Sequence, residues 1–324
     1  MHVLVTGAGG FVGRGLVRTL LRVGRIGAHT LLRLSAFDLA LPSIGDDAPR
    51  EVLRGCAGDL TDPAWVDAML SDAPPVDFVF HLASIPGGAA EQDYAASRAV
   101  NLDATLALLE RCKAQVDGGG PSPVFVFASS IAVFGAMPDV VTDASPTRPT
   151  MTYGAQKLVG EILVDDFDRR GWIDGRSLRL PGVLARPPAR TGQLSAFLSD
   201  MIREVGAGRP FTCPAGPDAT TWASSLPCVV ESLLHGATVQ RARLSGRSVF
   251  TLPCMRFTMG ELADAIGAVR GVPARSLVRW APDERIERWF GRFPPLVAEA
   301  ATAAGFRGDA DLATLVRRAV ELDD

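Results

Sequence analysis

A tyrosine and a lysine stand four residues apart, at Tyr153 and Lys157, in a chain that holds only two residues of each type. Positions i and i+4 of a helix share one face, so this spacing places an ammonium group beside a phenol. A nearby positive charge favours the phenolate and lowers the phenol pKa from its usual value of about 10. The alternative is an exposed pair on a solvated helix face. We favour a general base that takes a proton from a hydroxyl group.

A serine pair ends the apolar run at 123–130, upstream of the tyrosine. A hydroxyl at the carboxyl end of a strand lies where ligands bind in open α/β sheets, so Ser130 is the candidate partner of a substrate oxygen. Serines at strand ends are common, and this one gains weight only beside Tyr153. The chain has no GxSxG elbow, which argues against a hydrolase. Its four histidines form no HxxxH or HExxH pattern, so we expect no metal site.

Three glycines near the start, Gly7, Gly10 and Gly13, enclose Phe11 and Val12 in a GxxGxxG spacing. The loop follows an apolar β-branched run and opens an amphipathic helix, as a dinucleotide-binding loop requires. Glycine there lets backbone N–H groups and a helix N-terminus approach a pyrophosphate. The alternative is an ordinary strand-to-helix turn.

The second predicted strand ends at Asp38, an acid suited to the adenosine ribose hydroxyls. Arg33 is closer to the usual spacing of about 20 residues after the loop, and it would favour NADP if it ended the strand. We expect Asp38 to end the strand and the cofactor to be NAD. Asp59 is either an adenine contact or an acid at the start of a helix before Pro63.

Strands and helices alternate through the first half of the chain. We predict strands at 2–6, 31–38, 52–56, 76–83, 123–130 and 177–183, and helices at 11–23, 63–71, 93–115 and 152–170. This alternation indicates an α/β fold with a doubly wound parallel sheet of the Rossmann type. Residues 1–180 form the predicted NAD-binding domain, with a return to it near 220–252. Residues 181–324 form a smaller, mostly helical substrate domain, with helices near 194–206, 227–237, 259–269 and 310–321.

The composition limits the partners. The net charge is -3 and no basic stripe is present, so we expect no nucleic-acid partner. No apolar run reaches the 18 or so residues of a membrane span. Five scattered cysteines without a CxxC, and a start unlike a signal peptide, favour a reducing cytoplasm.

Several stretches together resemble the extended short-chain dehydrogenase/reductases, which include nucleotide-sugar epimerases and dehydratases. They are TGAGGFVG (6–13), GDL (58–60), FHLAS (80–84), VNLDATLALLE (100–110), FASSIAVFG (127–135), YGAQK (153–157) and SLRLPGV (177–183). Within that group the chain is most similar to the D-erythronate dehydrogenase branch. The similar segments there are FDLALP (37–42), SIPGGAAEQDYAASRAVNLDAT (84–105), 137–181 and GRFPPLVAEAATAAGFRGDADL (291–312).

This resemblance implies NAD-linked oxidation of a secondary hydroxyl beside a carboxylate, which yields a 2-oxo acid. It implies that Tyr153 is the general base, that Lys157 binds the nicotinamide ribose, and that Ser130 holds the reacting oxygen. The other cofactor contacts that it implies are Leu60, Leu82, Ala83, Ser84, Asn101 and Pro181. Ser84 would also touch the substrate. Many relatives form dimers through two long helices, here 93–115 and 152–170, so we expect a homodimer.

The chain departs from that branch near Trp222, where the branch usually carries two arginines and this chain has Thr220 and Pro227. A small hydroxy acid needs a cationic partner for its carboxylate, and Arg186 is the candidate. Two other functions stay open. A nucleotide-sugar epimerase or dehydratase would use the same Ser/Tyr/Lys set and recycle its NAD. A non-catalytic cofactor-binding protein would often lack the Tyr/Lys pair, which this chain keeps.

Overall fold

The computed structural model describes residues 1–41, 51–71, 73–186 and 196–321. Its strands are β1 (His2–Thr6), β2 (Arg25–Ile26), β3 (His29–Thr30), β4 (Arg33–Asp38), β5 (Leu53–Ala57), β6 (Phe78–His81), β7 (Val124–Ser130), β8 (Val141–Thr142), β9 (Asp174–Leu180), β10 (Gly182–Leu184), β11 (Phe211–Cys213), β12 (Thr220–Ser225), β13 (Val249–Thr251), β14 (Met255–Thr258), β15 (Val278–Trp280) and β16 (Leu296–Val297).

The α-helices are α1 (Phe11–Val23), α2 (Pro63–Leu70), α3 (Gly87–Gln92), α4 (Tyr94–Arg98), α5 (Ala104–Asp117), α6 (Thr152–Arg169), α7 (Ala196–Gly206), α8 (Leu226–Thr238), α9 (Met259–Arg270), α10 (Ala274–Leu277), α11 (Glu284–Phe290), α12 (Glu299–Ala304) and α13 (Leu312–Val320). A π-helical turn, Ala99–Asp103, joins α4 to α5, and short 3₁₀ turns lie at Ile131–Val133 and Arg241–Leu244.

One parallel sheet of seven strands organises the molecule, in the order β13-β9-β7-β6-β1-β4-β5. Alternate residues of β1 enter two separate cores, because successive side chains of a strand point to opposite faces. Val3 packs in the core that includes side chains of α1 and α8. Leu4 packs in the core that includes side chains of α2, α5 and α6. The predicted doubly wound Rossmann fold is therefore confirmed, and ligands of such sheets bind where the strand order reverses, between β1 and β6.

Two predicted elements differ from the observed ones. The helix expected over 93–115 is divided into α4, the π-helical turn and α5, and α3 precedes it. The π turn buries Asn101, whose side chain bonds to the loop after β6. The strand expected over 177–183 is divided at Pro181 into β9 and β10. Proline has no N–H to donate to a strand ladder, so it separates the two pieces.

The second half of the chain adds to this sheet and builds another core. Strand β13 pairs with β9 at the sheet edge, and α8 contacts α1, β7 and β9. A further core lies among α7, α9 and α13, with Met201, Ile266 and Leu315 fully buried. The helix expected near 194–206 is present from Ala196, and residues 194 and 195 lie outside the described part. The division of the chain at residue 180 stays a prediction.

Within the described ranges, every helix is too short or too polar to cross a membrane. All five cysteines lie in these ranges as free thiols.

Candidate active site

Helix α6 carries Tyr153 in its first turn and Lys157 one turn later, and both side chains line a cavity of about 360 Å³. The Lys157 Nζ lies 4.7 Å from the centre of the Phe127 ring and 5.6 Å from that of Tyr153. Burial lowers the pKa of Lys157 to about 7, and the negative charge of Glu161 opposes this shift. The ammonium therefore lies beside the phenol, as the spacing predicts.

Tyr153 lies among groups that act on its phenol in opposite directions. Burial is the largest influence and raises the pKa of Tyr153. Hydrogen bonding with Ser130 and Ser84 lowers that pKa, as does the positive charge of Arg186. Ser130 ends β7 and begins the following 3₁₀ turn, where its Oγ accepts a hydrogen bond from Ala132 N at 3.2 Å. The arrangement presents two hydroxyls and the Arg186 guanidinium to one phenol, and the pKa of Tyr153 is raised, opposite to the direction that the lysine spacing predicts.

The cavity runs from the glycine loop to the tyrosine, and it is lined by most of the residues that the sequence singled out. These are Gly7, Gly10, Phe11, Val12, Gly13, Leu82, Ser84, Ser130, Tyr153, Lys157, Pro181 and Arg186. The remaining candidates do not line it: Asp38, Asp59, Leu60, Ala83 and Asn101.

The glycine loop after β1 and the first turn of α1 are packed too closely for side chains at Gly7, Gly9 and Gly13. Gly7 has a φ of 71°, and a Cβ there would lie 2.6 Å from the backbone N of Ala83. A Cβ at Gly13 would lie 2.0 Å from the carbonyl oxygen of Gly7. Helix α1 begins after Gly10 without a side-chain cap, so its first N–H groups are available to an anion. This cradle fits a dinucleotide pyrophosphate.

Asp38 ends β4, and Arg33 begins the same strand at its opposite end. The Asp38 carboxylate accepts hydrogen bonds from Gly9 N at 2.8 Å and Leu39 N at 2.7 Å. It therefore lies against the glycine loop, where the ribose of a bound dinucleotide would be. Asp59 is exposed, and its Oδ1 accepts hydrogen bonds from the N–H and hydroxyl of Thr61. The side chain of Leu60 packs against a core of the sheet.

Asn101 supports the site from outside the cavity. Its Oδ1 accepts a hydrogen bond from Ile85 N at 2.8 Å, and its Nδ2 donates to Ile85 O at 3.0 Å. The Nδ2 also donates to Gln156 Oε1 at 2.6 Å. Because Gln156 precedes Lys157 on α6, one buried amide joins the loop after β6 to the helix that carries Tyr153 and Lys157.

A buried histidine, His81, lies at the end of β6, and the sequence analysis did not single it out as a site residue. The ring nitrogens of His81 are hydrogen-bonded to the hydroxyls of Thr6 at 2.6 Å and Thr105 at 2.8 Å. Burial, with a smaller contribution from the Lys157 charge, lowers the pKa of His81 to about 3. His81 is therefore neutral at ordinary pH and adds no second cation beneath Lys157.

Arg186 lies across the cavity, with its guanidinium carbon 6.0 Å from the centre of the Phe11 ring. Its backbone N donates to Ser199 Oγ at 2.9 Å, and its carbonyl accepts from Arg203. Thr220 and Pro227, the two residues that the sequence analysis noted near Trp222, have other contacts. Thr220 Oγ1 donates to Phe293 O at 2.8 Å, and Pro227 lies in the first turn of α8. Arg186 and Lys157 are the cationic residues of the described cavity wall.

The sequence analysis did not identify an apolar wall of the cavity. It comprises Met137, Met151, Trp222, Trp289, Phe290 and Phe293. The aromatic run WFGRF at 289–293 was a signal for it, but nothing in that run shows which strand ends it will face. Within the described ranges, no group of three or more His, Cys, Asp or Glu side chains is placed to hold a metal ion.

Comparisons with known proteins agree with the fold. Residues 3–222 match the model of the NAD dependent epimerase/dehydratase family. The chain is 37% identical to D-erythronate dehydrogenase of Cupriavidus necator, over 99% of this chain and 98% of that protein. It is 29% identical to D-erythronate dehydrogenase of Haemophilus influenzae, over 100% of both chains. The crystal structure of the nucleoside-diphosphate-sugar epimerase from Agrobacterium tumefaciens matches with a TM-score of 0.91 and 31% identity, covering 100% of this chain and 94% of that one.

Proposed function

The chain belongs to the NAD dependent epimerase/dehydratase family and is an oxidoreductase that uses a nicotinamide cofactor, and from that premise we propose its reaction. It oxidises the 2-hydroxyl of a small sugar acid, D-erythronate or a close analogue, to a 2-oxo acid, with NAD as the cofactor. The observation that carries the proposal is one cavity lined by Ser130, Tyr153, Lys157 and Arg186. The similarity to two D-erythronate dehydrogenases supports the substrate class.

Tyr153 is the general base of the proposed reaction. Its phenolate takes the proton of the substrate 2-hydroxyl, and the adjacent Lys157 ammonium stabilises that phenolate. Ser130 and Ser84, which hydrogen-bond to Tyr153, also hold the reacting oxygen in the site. When bound, the nicotinamide supplies the acceptor for the hydride.

Arg186 holds the substrate carboxylate in this proposal. A guanidinium can donate two parallel hydrogen bonds to a carboxylate, which fixes both its position and its plane. Because the charge of Arg186 already acts on Tyr153, a carboxylate bound to this arginine would lie close to the phenol. The hydroxyl on the adjacent carbon is then the one presented to the base.

The glycine loop is the proposed cofactor cradle. Gly7, Gly10 and Gly13 with the start of α1 would hold the pyrophosphate, and Asp38 would accept hydrogen bonds from the adenosine ribose. The proposed walls of the dinucleotide site are Phe11, Val12, Asp59, Leu60, Leu82, Ala83, Ser84 and Pro181. Lys157 would bind the nicotinamide ribose, and Asn101 would hold the loop after β6 in place. The five free thiols support a reducing compartment, and we propose the cytoplasm.

A nucleotide-sugar epimerase or dehydratase that recycles its NAD is the second candidate. The match to the Agrobacterium structure, described as a nucleoside-diphosphate-sugar epimerase, favours it. The Ser/Tyr/Lys set would serve either reaction. Release of NADH into solution separates the two candidates.

The first experiment mixes the purified protein and NAD with four-carbon and five-carbon sugar acids, D-erythronate first, and follows NADH absorbance. Tyr153→Phe should reduce the rate by at least about 100-fold, because the base is lost. Tyr94→Phe is the matched control, since Tyr94 is the other tyrosine and is 62% exposed. Tight NAD binding without NADH from any acid would contradict the proposal, and nucleotide sugars would be tested next.

A further inference from the structure

A buried carboxylate joins β9 to α6 and β7, the two elements that carry Tyr153, Lys157 and Ser130. Glu161 lies one turn beyond Lys157 on α6 and is only 3% exposed. Its Oε1 accepts hydrogen bonds from Ser129 Oγ at 2.5 Å and from Arg179 Nε at 2.9 Å. Its Oε2 accepts a hydrogen bond from Arg179 Nη2 at 2.8 Å. We call these three residues the Glu161 network.

The network lies on the ladder between β7 and β9. Ser129 and Arg179 are direct partners across these parallel strands, and both reach the same carboxylate of α6. The Arg179 guanidinium also lies 5.2 Å from the centre of the buried Phe134 ring, just past the 3₁₀ turn that follows Ser130. The network therefore fixes the ends of β7 and β9 against the helix that carries the base.

Ser129 directly precedes the serine that faces the phenol. The two serines are successive residues at the end of β7, so holding the Ser129 side chain on Glu161 also fixes the backbone that carries the Ser130 hydroxyl. Pro181, which lines the cavity, follows Arg179 by two residues just past the end of β9. A rotation of the strand end would move the Ser130 hydroxyl relative to Tyr153.

We propose that Glu161 is a positioning residue: with Arg179 it anchors Ser129 and thereby sets the orientation of Ser130, and its own charge sets the electrostatic environment of Lys157. Glu161 does not line the cavity, so it acts through its neighbours. This inference rests on the proposed function for its kinetic consequences. Its structural and electrostatic consequences can be measured without any substrate.

Three variants separate the two effects of the network. Ser129→Ala removes the anchor without changing a charge. Glu161→Gln weakens the anchor, because it leaves one amide oxygen for the Ser129 hydroxyl and the two Arg179 N–H groups, and it removes a negative charge that raises the pKa of Lys157. Asp165→Asn is the matched control, because Asp165 also lies on α6 and accepts a serine hydroxyl, that of Ser248 at 2.5 Å.

The titration of Lys157 can be followed in the whole protein by NMR with ¹³C-labelled lysine. The chain has only two lysines, so Lys113, which pairs with Asp117, is an internal reference. Burial lowers the pKa of Lys157 and Glu161 on its own helix raises it, while His81 of β6, whose pKa the Lys157 charge helps to lower, is neutral at ordinary pH. Glu161→Gln should lower the pKa of Lys157 by about one unit, since an opposite charge has been removed. Ser129→Ala and Asp165→Asn should leave that pKa unchanged.

The kinetic arm uses whichever acid the unaltered protein oxidises. Both Ser129→Ala and Glu161→Gln should lower kcat by about tenfold or more with a smaller change in KM, because the reacting groups are displaced while the carboxylate site is retained. Asp165→Asn should match the unaltered protein. Thermal unfolding of each variant shows that it is folded at the assay temperature.

The outcomes distinguish the two proposals. If no acid is oxidised, the proposed function fails, while a lowered Lys157 pKa in Glu161→Gln still supports the network's electrostatic role. Normal kcat in folded Ser129→Ala and Glu161→Gln would overturn the positioning role. An unchanged Lys157 pKa in Glu161→Gln would overturn the electrostatic one. If Glu161→Gln does not fold, Ser129→Ala decides the positioning role, and Glu161→Gln combined with Arg179→Met supplies the titration without a buried unpaired arginine.

Discussion

The Asp38 carboxylate is held by the backbone N–H of Gly9 at 2.8 Å, so the acid that ends β4 lies against the glycine loop. A fixed carboxylate there would accept the ribose hydroxyls of NAD and repel the 2′-phosphate of NADP. We expect Asp38→Asn to raise KM for NAD by about tenfold and to reduce the preference for NAD over NADP at least as much.

Steady-state kinetics with both cofactors measure this preference. Asp59→Asn is the comparison, because Asp59 is exposed and its carboxylate accepts hydrogen bonds from the neighbouring Thr61. An unchanged cofactor preference in Asp38→Asn would contradict the assignment. A change in Asp59→Asn instead would move the selectivity to the loop after β5.

The sequence predicts the sheet, the glycine loop, Asp38 and the tyrosine–lysine pair because each is a local pattern with a local physical cause. It does not predict the π-helical turn at Asn101, because that turn depends on Ile85, which is distant in sequence. It likewise does not reveal Glu161 as a partner of Ser129, although Ser129 lies in the FASSIAVFG motif and Glu161 lies four residues past Lys157. Only the packing of α6 on two strands brings these groups together.

Lys157 should reduce the stability of the folded protein at neutral pH. Burial lowers its pKa from 10.5 to about 7. Between these values the unfolded chain binds a proton that the folded chain does not, so stability rises with pH across this window. We expect Lys157→Met to increase the free energy of unfolding at pH 7 by at least about 1 kcal/mol while abolishing activity.

Thermal and urea unfolding from pH 6 to pH 10 test this sign. The stabilisation by Lys157→Met should be largest at low pH and should shrink as the pH approaches 10. Lys113→Met is the control, because Lys113 pairs with Asp117 on the surface and such pairs contribute little. A variant less stable than the parent at pH 7 would show that the lysine carries no net cost of burial.

Arg186 should discriminate between an acid and its neutral analogue. If it binds the substrate carboxylate, Arg186→Gln should raise KM for the acid by about 10- to 100-fold, the equivalent of a lost charge-assisted hydrogen bond. The amide of the same acid should be affected much less. The two substrates are compared in both proteins by NADH formation. An equal loss for acid and amide would indicate that Arg186 shapes the cavity without binding the carboxylate.

The exposed apolar side chains of α5 and α6 predict a dimer. Leu106 is 40% exposed, Val159 41% and Ile162 61%, and the two helices contact each other, so these residues can form one surface. A second copy of the same surface would cover them. We expect the protein to be a dimer by light scattering at micromolar concentration, and Ile162→Arg to make it a monomer. Leu39→Arg, at a residue 70% exposed after β4, should leave the dimer intact. A monomeric parent, or a dimer that survives Ile162→Arg, would rule out this interface.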